Sequence, residues 1–330
     1  MENSEITASF GVSDIASIYE LKSGHINRTF LVECFNGEKY ILQSLNSSVF
    51  RDPEAVMGNI RIIEELFNGA DCGNVCVPQY VITADGKNYI ESDGEIYRLY
   101  RYVEPITDNA NQHYLMGFSF GTFMRLLNGK GVCLAVTIEK FHSFSNYFSL
   151  LTSADNNSFL KKIDKIIMMR LDSVCETLQQ VFTVDFIKRN VHNDAKSDNI
   201  IFGEKCTVID LDTAMSGYAA IDYGDMIRSA CTAEQLNFTI IRDITRGFAN
   251  GLSGLLTDDE IYSLYYGILY VTGELAVRYL IDYLSNEKYF KGRSSAYCLS
   301  RANDLLRQLN LFIKHGEDIT SIIYKAFKKQ

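Results

Sequence analysis

The chain has 330 residues, 47% of them hydrophobic and 22% charged, with only 3 prolines. That is the profile of a folded globular protein with a sizeable core rather than a disordered or fibrous one. Its 32 Lys and Arg against 41 Asp and Glu give a formal net charge of −9, and so acidic a surface repels phosphate backbones and anionic headgroups, which removes nucleic acid and membranes from the expected partners. A small anionic ligand fits only where local cations or a bound metal offset that field.

The first residues, Met1 to Thr7, carry neither a basic start nor an apolar signal core, so the expected location is cytoplasmic. The apolar stretch Ile261 to Gly273 is too short for a bilayer and runs into Glu274 and Arg278. Of eight scattered cysteines only Cys72 and Cys76 lie close, with no matching pair or His cluster. Reduced, buried thiols are expected.

From Tyr19 to Val103 the signals are those of strands with one inserted helix. Phe30 to Phe35, the turn Asn36-Gly37, and Lys39 to Leu45 read as a hairpin. Asp52 as N-cap and Pro53 at the first helical position open a helix to about Asn68, with Val56, Ile60, Ile63 and Phe67 at helical spacing and Gly69 as its stop. Tyr80 to Thr83, Asn88 to Glu91 and Glu95 to Val103 follow as strands, separated by Asp85-Gly86 and Asp93-Gly94 turns. A five-stranded antiparallel sheet with one helix is the result.

Beyond Pro105 the pattern turns helical, near 111–128, 157–182, 233–250, 258–284 and 295–327. Between Asp185 and Asp225 it breaks into loops and one small hairpin, Asn199 to Phe202 and Thr207 to Asp210, where loop-borne chemistry is expected.

That break holds the informative run, His192-Asn193-Asp194 followed by Asn199, with Asp210 eleven residues further on. This is the spacing of a phosphotransferase catalytic loop with a metal-binding Asp after a short hairpin. Asn199 enters one hairpin strand and Asp210 leaves the other, so both arrive at one end and can share Mg²⁺, a hard cation that prefers oxygen ligands. Asp194, one short loop away, is placed to accept the proton of an attacking hydroxyl. The plain alternative is that His192 and Asp194 merely cap loop backbone groups.

With those residues in view, the chain resembles the aminoglycoside phosphotransferase and choline kinase superfamily, which has the protein-kinase-like fold. Within it, four segments resemble the N-acetylhexosamine 1-kinases more closely: Gly24 to Asn27 with Tyr40 to Asn46; His192 to Thr213; Asp222 to Arg228; and Glu274 to Leu284. The resemblance implies an α+β, bilobal fold, a nucleotide-binding lobe over 1–103 with a small five-stranded antiparallel sheet, and a larger, mainly helical catalytic and substrate-binding lobe over 104–330. It implies ATP-dependent phosphorylation of the anomeric hydroxyl of GlcNAc or GalNAc, with Asp194 as base and Asn199 and Asp210 holding Mg²⁺. The expected nucleotide site is Gly24, His25, Asn27, Ile41, Gln43, Tyr102 and Val103. The expected sugar site is His25, Asp194, Asp212, Ser229, Arg278 and Tyr289. The expected partners are the sugar and ATP, and no protein partner is implied.

One departure stands out. Many relatives carry a Lys or Arg in the third strand that reaches the ATP phosphates, and Gln43 occupies that place here. Strand alternation puts Lys39, Ile41 and Gln43 on one face, Ile41 toward adenine and Gln43 toward the phosphates. The N-acetylhexosamine kinases share this Gln, whereas a pseudokinase usually loses the loop Asp or the metal Asp. Other superfamily acceptors, namely choline, homoserine, methylthioribose or an aminoglycoside, and a non-catalytic nucleotide-binding module remain open.

Weaker candidates carry two readings each. The Gly24 to Asn27 turn either cradles phosphate or simply joins two strands. Arg278, in an apolar helix, either forks onto sugar hydroxyls or pairs with Glu274 or Asp282. Tyr289 is its partner or ordinary core. Asp222 and Asp225 are expected to N-cap the run from Met226 and to accept from loop amides. Asp212, two residues past Asp210, is an accessory to metal or sugar.

Overall fold

The computed structural model describes residues 2–21, 26–106, 111–129, 131–152, 169, 172, 176, 187–285, 289–290 and 292–328. Two units emerge, the first made of Met1–Asn109, Lys130–Glu139 and Ile201–Met215, the second of Ala110–Gly129, Lys140–Ile200 and Ser216–Gln330.

Unit 1 begins with α1 (Asn3–Ser9), β1 (Ile15–Leu21), β2 (Arg28–Cys34), β3 (Lys39–Ser44), α2 (Pro53–Asn68), β4 (Val75–Cys76), β5 (Ile90–Ser92) and β6 (Glu95–Arg101). The sheet has five strands in the order β1-β2-β3-β6-β5 and is antiparallel throughout. Gly37, at φ 86°, closes the β2–β3 hairpin, a left-handed position that glycine adopts without strain. The Asp52 carboxylate caps α2 by accepting from the Ala55 amide at 2.9 Å. One sheet face is apolar: Phe30, Val32, Tyr40, Leu42 and Leu99 pack with Ile6 and Phe10 of the α1 segment. The opposite face carries Thr29, Gln43 and Arg98 in one row, because the register pairs Thr29 with Gln43 and Gln43 with Arg98.

The five strands differ by one from those read in the sequence. Tyr80 to Thr83 makes a single bridge, Tyr80 to Tyr100, before the Thr83–Lys87 turn takes it off the edge of β6. The outer strand β1 completes the sheet.

Unit 2 carries α3 (Gln112–Leu127), α4 (Phe144–Leu151) and β7 (Arg189–Val191). The hairpin β8 (Ile200–Phe202) and β9 (Cys206–Val208) follows, and from Ile201 it belongs to unit 1, where β9 runs parallel to β4. After β10 (Met215–Gly217) come α5 (Ala219–Ala230), α6 (Phe238–Leu252), α7 (Asp258–Leu284), α8 (Ser295–Lys314) and α9 (Gly316–Phe327). A capping box between Thr257 and Glu260 starts the 27-residue α7.

Glycines set the helix spacing in unit 2. A Cβ on Gly247 would strike the carbonyl of Tyr114, and one on Gly117 the carbonyl of Ile244, so α3 and α6 meet backbone to backbone. Gly267 does the same for α7 against Ala220 of α5.

Three helical expectations need correction. The chain turns helical at Ala219, so Asp222 and Asp225 lie inside α5 rather than at its N-cap; polar residues at its core-facing positions hide its apolar period. The 295–327 segment is two helices, broken at His315. α6 starts at Phe238, where the Asn237 side chain accepts from the amides of Thr239 and Ile240. The expected helix over 157–182 lies outside the described residues, apart from isolated positions. Among the described cysteines, Cys34, Cys206 and Cys298 are buried, as expected, while Cys133 is exposed.

Candidate active site

The loop that follows β7 is built from inside the helical unit. His192 is fully buried, with the rings of Phe120 and Phe123 from α3 at 5.3 and 5.5 Å. Its Nδ1 accepts from the Asp194 amide at 3.3 Å, so the imidazole shapes the loop through the backbone rather than through the Asp194 side chain. Asp222 of α5 grips the same loop. Its carboxylate accepts from the His192 amide at 2.8 Å and the Asn193 amide at 2.7 Å, which bears out the expected bonds to loop amides. Burial pushes the Asp222 carboxyl up to about 7, against the two amides that favour the anion.

Asp194 has its own cation. Lys196 donates to Oδ2 at 2.7 Å and the Asn199 amide donates to the same oxygen at 2.8 Å. Desolvation works to raise this carboxyl, but the Lys196 charge and these hydrogen bonds outweigh it and hold Asp194 below the ordinary aspartate range. Its side chain is 28% exposed, and Oδ1 accepts nothing from a described residue. A base that stays anionic, with one oxygen held and the other accessible, suits proton acceptance from a bound hydroxyl. No sequence motif marks Lys196, whose position two residues past the loop Asp is its one local signal.

Asn199 also donates to the Asp194 carbonyl at 2.8 Å, which commits its amide nitrogen and leaves Oδ1 as the atom for a hard cation. Asp210 follows β9 in the left-handed conformation, φ 60°, in unit 1. Each is an oxygen donor of the kind a magnesium ion takes, since that cation binds few protein ligands and fills its shell with water and phosphate oxygens. Among the described residues no group of three or more His, Cys, Asp or Glu forms a metal site.

The remaining unit 2 candidates are placed as follows. The Ser229 hydroxyl accepts from the Ser197 amide at 2.9 Å and donates to the Met226 carbonyl at 3.1 Å, tying the end of α5 to the loop. Arg278 of α7 is no surface pair, since its side chain is 12% exposed and its nearest carboxylate, Glu274, lies 3.7 Å away. Asp282, the other expected partner, instead accepts from the amides of Tyr289 and Phe290. The Arg278 guanidinium lies over four rings, at 4.5 Å from Tyr289, 5.4 Å from Tyr147, 5.7 Å from Phe290 and 5.9 Å from Phe141, and it makes no hydrogen bond to a described residue.

In unit 1 the row across the sheet is fully engaged. Gln43 donates to Thr29 Oγ1 at 3.0 Å and accepts from Arg98 at 2.7 and 3.0 Å. Arg98, 1% exposed, forks onto the buried Asp212 carboxylate, with Nη2 at 3.0 Å from Oδ2 and Nη1 on Oδ1. Asn27 donates to the same carboxylate at 2.7 Å. So Gln43 faces a buried guanidinium, and Asp212 anchors the turn after Asp210 to the sheet. Ile41 is buried on the Gln43 face of β3. The Tyr102 amide donates to the Lys39 carbonyl at 3.0 Å, and the Val103 side chain lies near Gly203 of the hairpin. Gly24 and His25 lie outside the described residues.

The architecture decides the fold class. A solved aminopropanol kinase associated with a microcompartment is similar over 96% of this chain and 97% of its own, with a TM-score of 0.72 at 14% identity. The fold is kinase-like. An amicoumacin kinase in complex with AMP-PNP, Ca²⁺ and amicoumacin is similar at TM-score 0.59 and 15% identity, over 90% of this chain and 88% of that one. A choline kinase from Cryptosporidium parvum is similar at TM-score 0.59 and 14% identity, over 94% of each chain. Residues 174–252 match the phosphotransferase enzyme family, a span that contains the loop, the hairpin and α5 of this kinase-like fold.

Proposed function

We propose that the chain is an ATP-dependent phosphotransferase acting on the anomeric hydroxyl of an N-acetylhexosamine, with Asp194 as the base and Asn199 and Asp210 as the residues that hold Mg²⁺. Support for phosphotransfer comes from the loop geometry, the family match over 174–252 and the kinase-like fold. Asp194 Oδ1 accepts the hydroxyl proton as the sugar oxygen takes the γ-phosphoryl group and ADP leaves. Lys196 keeps the base anionic and oriented, and Asn199 couples it to the metal ligand set. The magnesium ion, when bound, neutralises phosphate charge.

Arg278 is the observation that carries the acceptor class. The neighbours act on aminopropanol and choline, which are cationic or protonated acceptors. Here the aromatic cage that would suit such a cation already holds the protein's own guanidinium. A buried fork with unused donors, close enough to Asp194 for the two charges to interact, repels a second cation and favours an acceptor rich in neutral oxygens such as hydroxyls and an acetamide carbonyl.

Steady-state kinetics with each substrate varied tests the assignment. Arg278→Ala is expected to raise the sugar KM about ten- to a hundred-fold, the scale of one lost charge-assisted hydrogen bond, with the ATP KM within twofold. An unchanged sugar KM in Arg278→Ala, or a parent enzyme that phosphorylates choline rather than the sugar, contradicts this reading.

A further inference from the structure

His142, in the segment before α4, was not marked by any sequence motif, yet it occupies the junction between the two parts of the acceptor site. Its Nε2 lies 2.6 Å from the backbone carbonyl of Asn193 and its Nδ1 lies 3.1 Å from Glu274 Oε2. Both partners only accept. The form of the ring that donates to a carbonyl and a carboxylate at once is the imidazolium, with a proton on each nitrogen. The side chain is 15% exposed and that of Glu274 2%, and Tyr270 fixes the His142 backbone by donating to its carbonyl, with His142 itself in the left-handed region at φ 53°.

Two chains of contact meet there. Glu274 offers Oε2 to His142 and Oε1 to Arg278. Asn193, also left-handed at φ 62°, has its amide held by Asp222 and its carbonyl by His142, and the next residue is Asp194. The residue preceding the base is therefore held from α5 at its amide and, through His142, from α7 at its carbonyl.

We propose that His142 is a positioning residue that, as an imidazolium, ties the Glu274–Arg278 pair of α7 to the Asn193 carbonyl, so that acceptor binding at Arg278 and alignment of the Asp194 base are one coupled event. The proposal rests on the acceptor-site reading above. The charged groups facing His142 are Glu274 and Arg278 from α7 and Asp222 from α5. Burial works to lower the His142 pKa, but the Glu274 charge and the two hydrogen bonds outweigh it and hold it above the ordinary histidine range.

His142→Gln is expected to lower kcat about ten- to a hundred-fold, since a displacement near 1 Å at a reacting group costs that order, with the ATP KM within twofold. In the parent enzyme kcat falls on the alkaline side as His142 loses its proton, and in Glu274→Gln that limb moves to lower pH. Imidazole ¹⁵N NMR reads the same group without turnover: in the parent both His142 nitrogens are expected to stay protonated to higher pH than in a free imidazole, and in Glu274→Gln one proton is lost at lower pH than in the parent. A His142 that loses its second proton no later than a free imidazole does overturns the proposal, as does a His142→Gln enzyme with kcat within twofold of the parent. If no sugar is phosphorylated by the parent, the functional reading fails by itself, while the NMR titration still decides whether His142 is the doubly donating clamp.

Discussion

Arg98 shows how a single buried charge is made tolerable. Its guanidinium donates to Gln43 and Asp212 at once, and Asn27 adds a third donor to the carboxylate. Removing one partner of such a pair leaves an uncompensated charge, whereas removing both leaves none. Arg98→Met is therefore expected to cost about 3–5 kcal/mol of stability, and Arg98→Met with Asp212→Leu to recover most of it, as read by urea denaturation. Equal destabilisation by the single and double variants contradicts the pairing. Asp222 gives a second residue-scale expectation, with its sign fixed by linkage. Its folded pKa of about 7 stands above the unfolded value near 4, so its stabilising contribution is complete below about pH 4 and is lost as pH rises through about 7. Asp222→Asn does not titrate, so its thermal stability should fall further below the parent at pH 5 than at pH 8. A difference that stays flat across this range contradicts a raised Asp222 pKa.

At the scale of elements, the helical unit depends on backbone-close crossings that side-chain periodicity does not reveal. Gly247 on α6 sits where any Cβ would meet the Tyr114 carbonyl of α3. Gly247→Ala is expected to destabilise by about 1–3 kcal/mol, the usual cost of overpacking, a fall of several degrees in Tm that calorimetry can read; an unchanged Tm would show that α3 and α6 can separate freely. The elements legible from sequence were those with clear stops: Asp52 and Gly69 bound α2, and Thr257 opens α7. The first turns of α5 read as loop in the sequence because Asp222, Gly224 and Asp225 interrupt the apolar pattern while all three are buried. Their burial has a tertiary cause, the grip of Asp222 on the loop amides and the approach of Gly224 to Gly267.

Across the whole molecule, the residues legible in the sequence are those whose chemistry depends on spacing along the chain. Asp194, Asn199 and Asp210, the proposed base and metal ligands, are picked out by a local motif, and the structure adds Lys196 beside Asp194 within the same loop. What stayed hidden were partnerships across long separations: Arg98 with Asp212, 114 residues apart, and His142 with Glu274, 132 apart. Such pairs leave no local pattern, because only the folded register brings them together. The net charge of −9 also gains meaning at this scale, since Lys196, Arg98 and Arg278 are each set beside a carboxylate that offsets their charge locally. No helix among the described residues is long and apolar enough to cross a membrane. ³¹P NMR of the reaction tests most directly the proposed phosphoryl transfer from MgATP to the C1 oxygen of an N-acetylhexosamine with Asp194 as base. With GlcNAc or GalNAc the account predicts an anomeric phosphate resonance coupled to H1, slowed about 10²- to 10⁴-fold in Asp194→Asn; phosphate appearing instead on choline or an aminoglycoside, or at an undiminished rate in Asp194→Asn, would contradict it.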